Sequence, residues 1–313
     1  MEGRVPVASI VYRVRPSHAM TTWTLFPRPG GDNGVSLPAT GNRALVPACM
    51  GNFIRWIGTP LLQLTNYLGE LAVLTGEMWH SLVRSRIRWG LVGRQLVTIG
   101  FGSQLQVIVT GAFTGAVFAA QVYYKFNQLG FESIVGGIVG LAMARELGPV
   151  LTALMLTSRV GASMAAEIGT MKVTEQVDAL RSLGVHPVDF LVAPRFLAMI
   201  FSVPLLIGES IRFGMGAARL MVVGLFNVPE AFYEDQLYKN FALENLWFGM
   251  TKGLVFGYLI VVVCCHQGLN VKQGAVGVGR GTTSAVVIAS LGVLIINFFL
   301  TLALNYIWPV VRT

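Results

Sequence analysis

The feature that most limits this chain is a series of apolar runs, each long enough to cross a bilayer. Between Gln95 and Tyr124 there is no charged side chain, and at about 1.5 Å per residue that run more than spans a hydrocarbon core about 30 Å thick. Four further runs follow, from Phe131 to Ala166, from Val188 to near Val223, from Leu246 to Cys265 and from Thr282 to Trp308. Only 12% of residues are charged and 54% are hydrophobic, whereas an ordinary soluble domain is roughly a quarter charged. The expectation is an all-α membrane protein with five transmembrane helices and its two ends on opposite sides. The formal charge of +8 does not point to nucleic acid, because the basic residues are scattered between apolar runs rather than gathered in a patch. Cys49, Cys264 and Cys265 offer no disulfide framework.

Loop charges set the orientation, since basic residues near helix ends stay cytoplasmic. Arg84, Arg86, Arg88 and Arg94 precede the first run, Lys172 and Arg181 lie between the second and third, and Lys272 and Arg280 between the fourth and fifth. The loop from Phe226 to Asn245 instead carries Glu230, Glu234, Asp235 and Glu244 against Lys239 alone. The N-terminus is therefore read as cytoplasmic and the acidic loop as external. Residues 50–94 are apolar but interrupted by Arg55, Pro60, Glu70 and Glu77, with Trp56, Trp79 and Trp89 along them. That mixture suits a helix lying in the membrane interface, with an extra short span as the competing reading. Residues 1–49, rich in Arg, Ser, Thr, Pro and Gly and almost without acids, read as an extension outside the fold: a transit peptide, a disordered tail, or upstream sequence ahead of a start at Met50. Residues 95–313 form the five-span domain.

Small residues recur at helical spacing: Gly111, Gly115 and Ala119; Gly136, Gly140, Ala144 and Gly148; Gly161, Ala165 and Gly169. In lipid such faces let helix backbones approach closely. Against that background the charges of the second run stand out. An Arg or Glu near the bilayer centre costs about 2.5–3.5 kcal/mol on insertion scales. Arg145 and Glu146 are neighbours, so they leave a helix roughly 100° apart and cannot satisfy each other. At least one must reach another helix, another subunit or water. Gly148 and Pro149 follow at once; proline frees the carbonyl four residues back, and a discontinuous helix at membrane depth lines a water-accessible site. A polar cavity is one reading, a buried interhelical ion pair the other. Glu209 and Arg212, three apart, read as a pair on one helix face.

Between the second and third runs, GTMKVTEQVDALRSLGVHP (169–187) spells a short helix over 175–183. Thr174 is placed as N-cap, Glu175 and Asp178 near the positive end, Arg181 near the negative end, and Gly184 as the stop. Val177, Leu180 and Leu183 share a side, which docks either on the chain's own membrane domain or on a cytoplasmic partner. The glycine-rich QGAVGVGRGTTSAVV (273–287) lacks the strand and the GxxxxGK[ST] pattern of a phosphate-binding loop. It reads as a cytoplasmic loop entering the fifth span, capped by Thr282, Thr283 or Ser284, and not as an ATP site. Cys264-Cys265-His266 diverge around a helix and read as buried packing rather than a metal site.

At ARELGPV, SRVGASMAAEIGTMKVTEQVDALRSLG, VHPVDFLVAPR and VGRGTTSAVV, the sequence resembles the MlaE/YrbE family of ABC-transporter permeases, from about Phe53 to the C-terminus. The resemblance implies a permease homodimer for lipid (phospholipid) trafficking, two separate cytoplasmic ABC ATPase subunits and MCE-domain lipid-binding protein on the far side. It implies that the 175–183 segment is the coupling helix, with Glu175, Gln176, Asp178, Leu180 and Arg181 meeting the ATPase. It also implies that Arg145, Glu146, Gly148 and Pro149 lie near the lipid passage, with Lys252 as a basic residue facing it. No catalytic residue, metal or cofactor is expected in the chain itself. The bacterial inner membrane is the expected location, the plastid inner envelope its alternative.

Two other function classes compete. An ion-coupled secondary transporter could use Arg145-Glu146 at a broken helix as its coupling site, but such carriers are often built from two related halves, and the chain contains no second ARELGP-like segment. An intramembrane enzyme would need a nucleophile with a base, or a metal set, and His18, His80, His186 and His266 do not form one.

Overall fold

The computed structural model describes residues 48–84, 88–241, 243–272 and 274–307, and among these every regular element is helical. The chain divides into two units, Met1–Arg55 and Trp56–Thr313. Of the first, only the opening turns of helix α1 (Ala48–Arg84) are described, so the reading of residues 1–49 as an extension falls almost wholly outside the described residues. All that follows concerns the second unit.

Seven helices follow α1: α2 (Trp89–Asn127), α3 (Val135–Val173), α4 (Gln176–Ser182), α5 (Val188–Leu225), α6 (Glu230–Asn240), α7 (Leu243–Leu269) and α8 (Gly274–Ile307). Five of them, α2, α3, α5, α7 and α8, are long and apolar enough to cross a membrane. They match the five expected runs, with α3 starting at Val135 rather than Phe131 and the expected end of the fifth run, Trp308, lying outside the described residues. The clearest difference is at α8. The expected loop around Val276–Gly281 is helical from Gly274, whose φ of +63° marks the turn out of α7. Thr282 and Thr283 accordingly do not cap; their hydroxyls donate to the carbonyls of Val278 and Gly279 one turn back. The glycines there serve close approach. A Cβ on Gly281 would lie 2.7 Å from a Val271 methyl, and one on Gly169 of α3 3.0 Å from the same methyl. Val271 thus wedges between α3 and α8, which leaves this glycine stretch no phosphate-binding loop to form.

Helix α1 buries Leu74, Met78 and Ser81 and exposes Leu62, Leu64, Leu68, Val73 and Val83. Trp79 meets Phe196 of α5 edge-on at 6.4 Å between centroids, and Tyr67 meets His266 of α7 at 5.1 Å. Thr75 shares a 3.0 Å hydrogen bond with Tyr258 of α7. Phe196 and His266 lie toward the ends of α5 and α7 that are flanked by basic loops, so α1 lies against that end of the bundle with its remaining apolar surface outward.

The small-residue faces are used where the backbones come closest. Gly111 and Gly115 of α2 face Ser210 and Gly214 of α5; a Cβ on Gly115 would sit 2.1 Å from the Gly214 carbonyl oxygen. Along α3, Gly136 and Gly140 face Tyr233 and Leu237 of α6, Gly148 faces Ile211 of α5, and Gly161 faces Cys264 of α7. Helix α3 therefore runs through the middle of the bundle. At the end of the bundle that carries the acidic loop, Arg219 ties α5 to α6 through Glu230 and, at 3.2 Å, Glu234.

Gly115→Leu should force α2 and α5 apart and destabilise the purified protein in detergent by about 3 kcal/mol or more, at or beyond the upper end for overpacked cores. Gly216→Ala, where a Cβ meets nothing within 4 Å, should leave the melting temperature nearly unchanged. Equal melting temperatures for both variants would contradict the close α2–α5 approach.

Candidate functional site

Helix α3 does not break at Gly148-Pro149, as a discontinuous helix would. It stays continuous and takes up the irregularity as a wider π-turn over Met143–Leu147, where the Gly148 N–H bonds back to the Met143 carbonyl. That turn holds Arg145 and Glu146. Because Pro149 has no N–H, the Arg145 carbonyl loses its ordinary partner in the helix. Lys252 of α7 replaces it, its Nζ donating to the Arg145 carbonyl oxygen at 2.9 Å. The same ammonium donates to Glu146 Oε1 at 2.9 Å and to Thr301 Oγ1 of α8 at 2.7 Å. Its ammonium thus has an acceptor for each of three protons, which satisfies a lysine with 0% side-chain exposure.

Glu146 is further held by Thr301, which donates to Oε1 at 3.1 Å, and by Asn297 of α8, whose amide donates to Oε2 at 3.1 Å. Its side chain remains 40% exposed. Arg145 points elsewhere, as expected of adjacent helical residues. Its Nε donates to Asn245 of α7 at 2.7 Å and its Nη1 to Asn305 of α8 at 2.8 Å. The guanidinium lies 4.5 Å from the ring centroid of Phe248, a favourable cation–π distance. Arg145, Glu146 and Lys252 are thus brought together between α3, α7 and α8, with Gly148 and Pro149 shaping the turn. Gly148 admits Ile211, whose side chain a Cβ would meet at 2.7 Å, and Pro149 packs against Gly249 of α7.

Asn245, Phe248, Asn297, Thr301 and Asn305 complete the cluster and were not singled out from sequence. A signal was present on α8, where Asn297, Thr301 and Asn305 recur every fourth residue within an otherwise apolar helix and so line one face. Glu209 and Arg212 do not form the expected pair. Glu209 accepts a 3.0 Å hydrogen bond from Gln104 of α2, while Arg212 is exposed and no ion pair joins the two among the described residues.

Helix α4 spans Gln176–Ser182, seven residues. Thr174 does not cap it. Its hydroxyl donates to the Thr170 carbonyl at 2.9 Å, closing α3, and Glu175 makes the turn with φ +60°. The C-terminal stop is as expected: Gly184 has φ +74°, with Gly184 N–H donating to the Arg181 carbonyl and Val185 N–H to Leu180, both at 3.0 Å, the Schellman pattern. Val177 is fully buried in the chain's own membrane domain, Leu180 is half-buried, and Leu183 is 77% exposed. Glu175, Gln176, Asp178 and Arg181 are exposed. Asp178 pairs with Lys172 at 2.9 Å and Arg181 at 3.4 Å; chiefly the Lys172 hydrogen bond, then the two cations, hold its carboxyl below the usual carboxylate range. Beside α4, a groove of about 1110 Å³ is lined by residues including Glu70, Glu77, Lys172, Arg181 and His186.

An α-helical bundle of five helices long and apolar enough to cross a membrane, with a polar cluster among them and a short exposed helix at one end, defines a multi-pass membrane protein. The comparisons make this specific. The profile of the family described as "Permease MlaE" matches residues 92–303. The chain is 38% identical over 252 residues to a probable ABC transporter permease protein of Rickettsia typhi, covering 80% of this chain and 96% of that one. It is 38% identical over 228 residues to a probable ABC transporter permease protein of Synechocystis, covering 73% and 87%. It is also 34% identical over 232 residues to Protein TRIGALACTOSYLDIACYLGLYCEROL 1, chloroplastic, of Arabidopsis thaliana, covering 74% and 66%. The chain belongs to the MlaE family of ABC transporter permeases.

The cluster is asymmetric, and its variants should be too. Lys252→Met strands the Glu146 carboxylate and leaves the Arg145 carbonyl without its partner. Because Glu146 is part-solvated, the cost should fall near the low end for a broken buried pair, about 3 kcal/mol. Glu146→Gln keeps an acceptor for Lys252 and Thr301 and should cost less. Membrane abundance and melting temperature of both variants test this; equal losses would contradict the asymmetry.

Proposed function

We propose that this permease forms, as a homodimer, the phospholipid passage of an ATP-driven transporter, with separate ATPase subunits seated at α4. The observation that carries this reading is the half-exposed carboxylate of Glu146 beside a fully buried, triply bonded Lys252. A purely structural pair would be sealed on both sides, whereas this one opens an anchored charge toward an amphiphile with a polar headgroup. One relative's name contains trigalactosyldiacylglycerol, a galactolipid, which supports a lipid as the substrate. The homodimer finds support in α8, where the exposed apolar residues Val287, Leu291, Leu294, Phe298 and Leu302 run alongside the polar Asn297 and Thr301 of the cluster. The MCE-domain partner rests on the family resemblance alone. Membership of an ABC permease family leaves the ion-coupled carrier reading without support.

Glu146→Gln should leave abundance and ATPase binding nearly intact and reduce ATP-dependent movement of labelled phospholipid between reconstituted vesicles by about tenfold or more, the effect of about 1.4 kcal/mol on the passage. Normal lipid movement in that variant would reject the role of the site.

The ATPase contact has its own test. Leu180 is half-buried, so changing it disturbs the fold as well as the surface; Leu183 and Arg181 are the cleaner probes. Leu183→Asp with Arg181→Glu should abolish copurification of the ATPase while the permease keeps its melting temperature. Copurification at the wild-type level would remove α4 as the coupling element.

A further inference from the structure

Helix α3 has a second π-turn, over Thr157–Gly161, and it too carries a charge, Arg159. This arginine lies thirteen residues from Glu146, about 20 Å along the helix, and eight from Glu167, about 12 Å. Glu167 marks the cytoplasmic end, where it pairs with Arg195 of α5 at 2.9 Å. Arg159 therefore lies inside the apolar zone, in its cytoplasmic half, and apart from the Glu146–Lys252 cluster. Its side chain is exposed, and among the described residues it has no hydrogen-bond or ion-pair partner. Arg145, Glu146, Lys252 and Glu209 are bonded within the chain, whereas Arg212 of α5, like Arg159, is exposed and has no such bond among the described residues. An unpaired arginine in that zone carries a penalty that only an anion or water relieves.

The surroundings are built around it. The guanidinium lies beside Gly102 of α2, where a Cβ would be 3.8 Å from Nη2, and Gly102 directly follows the α2 π-turn over Val97–Phe101. The guanidinium thus reaches the residue that follows a second wide turn, a helix irregularity often found at functional sites. One turn further along α2, Gln106 gives its amide N–H only to the Met155 sulfur, at 3.3 Å, a weak acceptor that a phosphate oxygen would displace. Val109 and Phe113 continue the same face of α2 toward the membrane centre and are exposed.

We propose that Arg159, with Gln106, binds the phosphate of a phospholipid in the cytoplasmic half of the membrane, the acyl chains lying along Val109 and Phe113. This rests on the phospholipid reading above and adds a second contact, on the α2–α3 seam, about 20 Å from the first. Arginine suits the role because its planar fork engages phosphate oxygens two at a time and it is less tightly hydrated than lysine.

The test places a photoreactive p-benzoylphenylalanine at Val109 in the full-length permease, reconstituted in nanodiscs containing ³²P-labelled phosphatidylglycerol without ATP. Irradiation should transfer label to the chain. Arg159→Gln should reduce that transfer by about tenfold, the loss of one charge-assisted hydrogen bond, while Arg159→Lys, which keeps the charge but not the fork, should fall between that variant and the wild type. Arg212→Gln, which removes an exposed arginine from the external half, should leave the label unchanged. Label insensitive to Arg159→Gln, an equal loss with Arg212→Gln, or crosslinks between two permease chains in place of labelled lipid would each overturn the proposal. Because no transport is read, normal lipid movement in Glu146→Gln leaves this measurement standing, and a negative result here leaves the Glu146 site standing.

Discussion

The bundle's polar centre depends on one missing hydrogen. Pro149 cannot donate to the Arg145 carbonyl, and the vacancy is filled by Lys252 from a different helix at 2.9 Å. Everything else in the cluster follows from that ammonium. It can be buried only with three acceptors, so it recruits Glu146 and Thr301 as well; Glu146 in turn takes Asn297, and Arg145, turned away from its neighbour, takes Asn245 and Asn305. A helix-breaking residue thus becomes the point at which α3, α7 and α8 are joined. The gain is one of specificity more than stability, since replacing a buried ion pair with well-packed apolar groups is often neutral or better.

Around that centre the helices are held by shape. With lipid on the outside there is little hydrophobic drive between helices, and close backbone contact has to supply the attraction. The α2–α5 contact at Gly115 and Gly214 and the α3 contacts at Gly136, Gly148 and Gly161 supply it at successive heights. Val271, fitted between Gly169 and Gly281, does the same at the end of the bundle near α4. Small residues and charges therefore divide the work: the first set how near the helices lie, the second fix their rotation.

The five crossings were legible in sequence because uncharged length is a direct physical requirement of a bilayer. The pairing of Arg145 and Glu146 with separate partners was legible too, from the angle between neighbouring helical residues. What could not be read was how the backbone absorbs a local conflict. A break at Gly148-Pro149 and a π-turn ahead of it satisfy the same composition, and only the available partner, Lys252, decides between them. Thr174 and Thr282 show the same limit: each has the side chain of an N-cap, yet each bonds to the carbonyl one turn behind it, because the preceding backbone is already helical. Asn297, Thr301 and Asn305 escaped notice for another reason, that uncharged polar residues in a membrane helix draw attention only when their spacing is checked. Arg159 lay in plain view within SRVGASMAAEIG, with nothing local to distinguish it from a residue at the helix end.

The continuity of α3 has a mechanical consequence. From Glu146 to Val173 it is a single rod of twenty-seven residue steps, about 40 Å, and only Thr174 and Glu175 separate its foot from α4. Such a rod does not shorten. A displacement of α4, anchored to the rod by Lys172 and Asp178, can reach the polar cluster as tilt or as axial rotation. Rotation is the motion to which the cluster is most sensitive: Arg145 and Glu146 engage both α7 and α8 from adjacent bearings on the rod, so turning it loosens both sets of hydrogen bonds together. The π-turn at Thr157–Gly161, midway along, is a stretch where part of that torque can be absorbed.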